Sequence, residues 1–279
     1  MTETASETCQ RQLKAFWGAS RLPGFAESTV QVRPSHWQQL WARLQQLAHV
    51  RASGLLCGPH GVGKSFLVHS FTQELSPKQY RPIRLVHSTL MGSDLLRQLV
   101  RLGGGTPTLR RSDNVLLLRQ QWEQLAPLWP VLIVEEAQNL SAPALEELRL
   151  LACDRPDTQP PFSLLLVGDE DLLPRLQLGI NRALTSRLGF CLALPPWPLE
   201  ALRDYLQKRL EEVGIHASPF DPAAEELLLQ SAAGLPRQLN LLLQRSLENA
   251  AQAQRRKISL EDIHAALDLL PWIGRTRSQ

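Results

Sequence analysis

Eight consecutive residues constrain this chain more than any others: Gly58, Pro59, His60, Gly61, Val62, Gly63, Lys64 and Ser65. They fit the pattern G-x-x-x-x-G-K-[ST]. An apolar stretch, Gly54-Leu55-Leu56-Cys57, precedes them, and Phe66, Leu67, Val68 and Phe71 follow at helical spacing. The expected local structure is therefore strand, glycine loop, helix. Glycines let the backbone curl so that successive N–H groups converge on one anion. A helix N-terminus just beyond adds unpaired N–H groups and the positive end of its dipole. Lys64 supplies a mobile point charge for β- and γ-phosphates, and the Ser65 hydroxyl is placed to ligate Mg²⁺. All eight residues are expected to bind the phosphates of a nucleotide.

The rest of the composition permits such a site in a globular protein. The 279 residues suit one large or two smaller domains, and 43% hydrophobic against 20% charged content is enough for a packed core. A net charge of +3 permits a nucleic-acid partner without requiring one. No apolar run reaches the roughly 20 residues that span a bilayer. Residues 1–10 are polar, without the apolar core of a signal peptide. Cys9, Cys57, Cys153 and Cys191 have no metal-ligand spacing and read as cytosolic free thiols. The expectation is a cytoplasmic protein with no membrane association.

Taken in order, residues 1–21 form a polar, basic N-terminal arm or first helix, and an irregular stretch begins at Leu22. Ser35 is expected to cap an amphipathic helix whose Trp37, Leu40, Trp41, Leu44, Leu47 and Ala48 face a core. A second strand is read at Ile83–His87, then helices at 93–102 and 114–128. The third strand, Val131–Val134, is apolar throughout, as in a parallel sheet buried on both faces. It ends in Glu135-Glu136, where an open α/β sheet binds its ligand. One acid can hold Mg²⁺ and the other can accept a proton from an attacking water. A helix opened by Ser141 and Pro143 follows, then a fourth strand, 163–167, ending in Gly168-Asp169, and a fifth at 189–194. Beyond Pro195-Pro196-Trp197-Pro198 the pattern is helical, with a capping-box-like start at Ser259. The expected organisation is an arm at 1–21, an α/β nucleotide-binding domain at 22–195 with a five-stranded parallel sheet, and a helical domain with a short basic tail at 196–279.

These motifs, in this order, resemble an AAA+ ATPase over about residues 20–270. The features that carry the likeness are the phosphate loop, the apolar strand with paired acids, Leu145-Glu146-Glu147-Leu148-Arg149-Leu150-Leu151, the strand ending Val167-Gly168, an Arg before the fifth strand, and Gly234-Leu235-Pro236-Arg237. More narrowly, the chain is similar to the transposon target-selection ATPases (the TnsC and TniB kind, more distantly MuB and IstB) and to the ExeA/GspA secretion ATPases. The resemblance implies a P-loop fold with a helical lid, ATP and Mg²⁺ as ligands, and a homo-oligomeric ring or helical filament. It puts Glu135 at the metal position, Glu136 at the catalytic base and Asp169 at or beside a γ-phosphate sensor. Arg187, with Arg182 in reserve, takes the place of a finger reaching the neighbouring subunit, and Arg237 that of a sensor in the lid. The family has Asp where this chain has Glu135, one methylene longer.

Secretion ATPases of that kind carry a membrane span and a peptidoglycan-binding region, which this sequence lacks, so the transposition branch leads. The resemblance then implies sequence-tolerant binding of double-stranded DNA, with a transposase as partner and a target-selector protein as a further candidate. Such binding is a backbone contact weakened by salt. Arg84, Arg110 and Arg111 on loops are the candidate backbone contacts, and Arg275 and Arg277 form a basic tail expected to touch DNA or a partner protein. The alternatives are a protein-directed assembly ATPase and a nucleotide-gated scaffold with little turnover.

Overall fold

The structure, a computed structural model, describes residues 5–20, 34–86, 90–153 and 160–273. The loop read at 155–161 falls mostly outside the described residues, as do Leu22–Phe25, His87, Arg275 and Arg277. In chain order the elements are α1 (Ala5–Trp17), α2 (Gln38–His49), β1 (Ser53–Cys57), α3 (Lys64–Glu74), β2 (Tyr80–Leu85), α4 (Gly92–Leu102), α5 (Arg111–Gln124), β3 (Trp129–Val134), α6 (Ala142–Ala152), β4 (Ser163–Gly168), α7 (Leu172–Gln177), α8 (Arg182–Thr185) and β5 (Leu188–Ala193). Four longer helices follow: α9 (Leu199–Glu212), α10 (Pro222–Ser231), α11 (Pro236–Gln252) and α12 (Leu260–Leu269).

The five strands form one parallel sheet in the order β2-β3-β4-β1-β5. The three central strands are apolar without alternation because both of their faces are covered. Leu55, Leu132, Val134, Leu164 and Leu166 join a core with Leu95, Leu99, Leu118, Leu145 and Leu148 from α4, α5 and α6. The alternate residues Leu56, Val131, Ile133, Leu165 and Val167 point the other way and are equally buried. On that face Leu47 of α2 lies so close over Gly54 that a Cβ there would stand 2.6 Å from its Cδ1. Trp37, 2% exposed and 6.1 Å from Phe66, is a core residue, while the half-buried Trp41 meets Phe71 of α3 edge-on at 6.3 Å.

Contacts divide the chain into two compact units. One holds residues 37–59 and 64–195, which is the whole sheet with α2 to α8. Among the described residues the other holds 5–20, 34–36, 60–63 and 196–273. In this second unit α1 is a helix whose Leu13 packs on Ala251 of α11 and whose Trp17 Nε1 donates to the Leu247 carbonyl at 3.2 Å. The Ser259–Asp262 capping box is formed, and Ser259 N–H donates to Asp262 Oδ2 at 2.8 Å.

Several boundaries differ from the sequence reading. Strand β2 begins at Tyr80, because Pro82 sits on an edge strand where no donor is missed. Ser35 opens a short 3₁₀ turn, Ser35–Trp37, and makes no side-chain cap for α2. Helix α5 starts at Arg111; Asn114, expected as its first residue, is buried and clasps Thr108 through both backbone groups, at 2.8 and 2.9 Å.

Candidate functional site

The Gly58–Ser65 loop joins β1 to α3 as its pattern requires. A Cβ on Gly58 would lie 2.4 Å from the Leu194 carbonyl oxygen, so no side chain fits there. Gly61 (φ +82°) and Gly63 (φ +108°) occupy the left-handed region that glycine tolerates. Lys64 is buried at 7% exposure, and its Nζ donates to the carbonyls of Gly58 at 2.7 Å and Pro59 at 3.1 Å. The amine is thus held over the loop by the loop's own backbone. Ser65, in the first turn of α3, is exposed.

The tip of the loop is held separately, within the helical unit. The Val62 carbonyl accepts from Trp197 Nε1 at 2.8 Å in a buried contact, and Trp197 N–H donates to the Gly234 carbonyl at 2.8 Å. Gly234 (φ +78°) is packed against Pro196 and Trp197 so closely that a Cβ would lie 2.6 Å from Pro196 Cβ. Arg237 N–H donates to the Gly61 carbonyl at 3.2 Å. The Arg237 side chain is exposed and makes no hydrogen bond or ion pair among the described residues.

Glu135 and Glu136 follow β3, and their surroundings differ. Glu135 is 3% exposed, and its N–H donates to the Leu85 carbonyl at 2.9 Å. Its Oε1 accepts from Arg84 Nε at 3.2 Å and from the Arg84 Nη2 as well, forming an ion pair. Arg84 was expected on a loop as a DNA contact. It lies inside β2 with its guanidinium committed to Glu135, because strand register puts it on the face from which Glu135 projects. Glu136 has φ +51°, unusual for a side chain with a Cβ. Its Oε2 accepts from Gln138 Nε2 at 2.7 Å, while Gln138 Oε1 accepts from Asp169 N–H at 3.3 Å. One amide therefore ties the end of β3 to the end of β4. Asp169 is 8% exposed, and its Oδ1 accepts from Asp171 N–H at 3.0 Å. The turn through Ala137–Asn139 is clamped by Arg175, which donates to the carbonyls of Gln138 and Leu140.

Near the loop's entry, burial pushes the Cys57 thiol up to about 11; Cys191 and Asp169 act in the same sense and Lys64 opposes them. Arg187 is exposed two residues beyond α8, its guanidinium donating to the Ala183 carbonyl, and Arg182 is exposed at the start of that short helix. Of the other basic candidates, Arg111 is engaged in a bidentate pair with Glu147 at 2.6 and 2.8 Å, and Arg110 is exposed. Sequence reasoning missed Gln138, Arg175 and Trp197. The only available signal was the presence of long polar side chains near the motifs.

The residues fit a nucleoside triphosphate: a glycine cradle, a buried lysine at the helix start, and an exposed hydroxyl one residue on. For a divalent ion the fit is uneven. Ser65 is available, whereas the Glu135 carboxylate is held by Arg84.

This arrangement is that of a P-loop nucleotide-binding protein of the AAA+ fold. The family model for an AAA domain matches residues 45–176. General secretion pathway protein A of Aeromonas hydrophila is 32% identical over 136 residues, covering 49% of this chain and 25% of that protein. The Holliday junction branch migration complex subunit RuvB of Anaeromyxobacter sp. (strain Fw109-5) is 29% identical over 246 residues, covering 84% of this chain and 61% of that one. The chain thus spans less than two thirds of either relative. Among solved structures, the Aeropyrum pernix ORC1 protein in complex with DNA matches with a TM-score of 0.68 at 18% identity, over 88% of this chain and 68% of that one.

Proposed function

We propose that this chain binds and hydrolyses ATP, assembles into a ring or helical filament on double-stranded DNA, and marks that DNA for a transposase. A target-selector protein is a further partner in this reading. The observation that carries the nucleotide part is the Gly58–Ser65 loop, with Lys64 held over it by the carbonyls of Gly58 and Pro59. Lys64 and Arg237 would neutralise the terminal phosphates, and the loop N–H groups would bind them. Mg²⁺, held by Ser65 and Glu135, would supply charge neutralisation on the phosphate oxygens. Glu136 would orient an attacking water and take its proton, with Asp169 beside it through Gln138. Arg187 would reach the nucleotide of the next subunit, a heterologous contact that propagates rings or helices. Support for DNA as the substrate comes from the RuvB relative, which belongs to a complex that migrates Holliday junctions.

A second reading is a protein-directed assembly ATPase, favoured by the match to general secretion pathway protein A. Gel retardation of duplex DNA with ATP, with ADP and without nucleotide, over a salt series, separates the two. The DNA reading expects retention that needs ATP, falls with salt and depends little on sequence. No retention with ATP at low salt would remove it and leave the protein-directed reading.

A further inference from the structure

The departure from aspartate at Glu135 has a structural partner in Arg84. In the β2–β3 register Arg84 stands opposite Ile133, and Glu135, two residues on, projects from the same face. The Glu135 side chain is 5% exposed and that of Arg84 29%. A buried carboxylate needs a paired cation. Arg84 is its sole ion-pair partner among the described residues. The guanidinium is fixed on its other side, where Arg84 Nη1 lies 3.2 Å from Nδ1 of His69 on α3. An aspartate would end about 1.5 Å, one carbon–carbon bond, short of the glutamate's reach. The extra methylene therefore lets this acid meet a cation on the neighbouring strand.

We propose that Arg84 is a positioning residue that competes with the divalent ion for the Glu135 carboxylate, and so sets the Mg²⁺ requirement for nucleotide binding. This rests on the nucleotide-site reading above. Two cations cannot both use Oε1 without repelling each other in a buried setting. A metal engaging Glu135 must displace the guanidinium or share the carboxylate with it. Nucleotide binding supported by the loop and Lys64 alone, without metal, would then be a substantial part of the total. His69 steadies the competitor by accepting from its far side.

The test is equilibrium binding of a fluorescent ATP analogue to the full chain, in EDTA and across an Mg²⁺ titration. The variants are Arg84→Gln, Arg84→Lys, Glu135→Gln and the Arg84→Gln/Glu135→Gln pair, with circular dichroism to check folding. Arg84→Gln is expected to lower the half-saturating Mg²⁺ by about tenfold while leaving affinity in EDTA unchanged. Arg84→Lys, which keeps the charge but loses the fork, should fall between. The effect of Arg84→Gln should vanish in the Glu135→Gln background. An unchanged Mg²⁺ titration in folded Arg84→Gln or Arg84→Lys, or an equal shift with Glu135 replaced, overturns the inference. If the parent binds the analogue and Lys64→Ala does not, the nucleotide site stands whatever Arg84 does. If the parent fails to bind in both EDTA and Mg²⁺, the site reading and this inference fall together.

Discussion

Lys64→Ala tests two roles of one side chain. The sequence alone suggests that Lys64 faces only ligand, so that its loss would leave the fold untouched. In the structure it is 7% exposed and donates to two carbonyls of its own loop, at 2.7 and 3.1 Å. Hydrogen bonds from a charged donor contribute about 1.5–3 kcal/mol each, and part is recovered when water reaches the carbonyls. A net loss of roughly 1–3 kcal/mol is expected, or a fall in Tm of about 2–10 °C for a protein of this size. Nucleotide at a hundred times its Kd stabilises the parent by about 2.7 kcal/mol. That corresponds to a rise of roughly 5–10 °C. The assay is thermal unfolding with and without ATP and Mg²⁺. The parent should rise with nucleotide; the variant should start lower and stay flat. A variant that rises as much as the parent refutes the assignment of Lys64 to the phosphates. An unchanged Tm without nucleotide refutes the stabilising role of its carbonyl contacts.

Glu136→Gln keeps the shape of the residue and should retain ATP binding while phosphate release slows by about 10²–10⁴-fold; release at the parental rate places the base elsewhere. Arg175→Ala frees the turn that carries Gln138 and Leu140. It should slow hydrolysis with little change in ATP affinity, and a loss confined to affinity would contradict that positioning role. Arg187→Ala and Lys64→Ala, each inactive alone, should regain partial ATPase activity when mixed, because some interfaces then pair an intact site with an intact finger. Normal assembly and hydrolysis by Arg187→Ala alone would transfer the role to Arg182. Burial pushes the Cys57 pKa up to about 11, against an ordinary value of 9.0, so the thiol is neutral at pH 8. Iodoacetamide at pH 8 should therefore spare Cys57 and label the exposed Cys191, as read by mass spectrometry. A pKa raised on folding adds stability that is complete below pH 9 and is lost as pH rises toward 11. A Cys57→Ala variant should lose less stability than the parent across that window.

What the sequence made legible follows from short-range physics. The phosphate loop, the unbroken apolar strands and the Ser259 cap are local patterns, and each forms where its residues predict. What was hidden depends on which strands become neighbours. Arg84 read as a DNA contact because its partner Glu135 lies 51 residues away, and a parallel β2–β3 register cannot be seen in one dimension. Trp197 read as part of a proline-rich break, yet its indole N–H meets a carbonyl 135 residues away. Gln138 and Arg175 lie 37 residues apart, and their contact depends on the turn after β3 packing against α7.

These hidden contacts explain how a strained residue can stand at the candidate base. A non-glycine residue at φ +51° costs roughly 1–3 kcal/mol and persists only where its surroundings over-determine it. Here Asn139 N–H donates to the Glu136 carbonyl at 2.9 Å, Gln138 holds the Glu136 carboxylate, and Arg175 grips the turn at two carbonyls. The Arg175 carbonyl in turn accepts from Asn181 Nδ2 at 2.9 Å, and Asn181 is the residue immediately before α8. Hydrogen bonds through Gln138, Arg175 and Asn181 therefore link Glu136 to the start of α8 at the exposed Arg182. Just before Arg182 the segment also exposes Leu178 at 57% and Ile180 at 73%. Asn181 and Arg175 thus connect the start of α8 to the turn that fixes the geometry of Glu136.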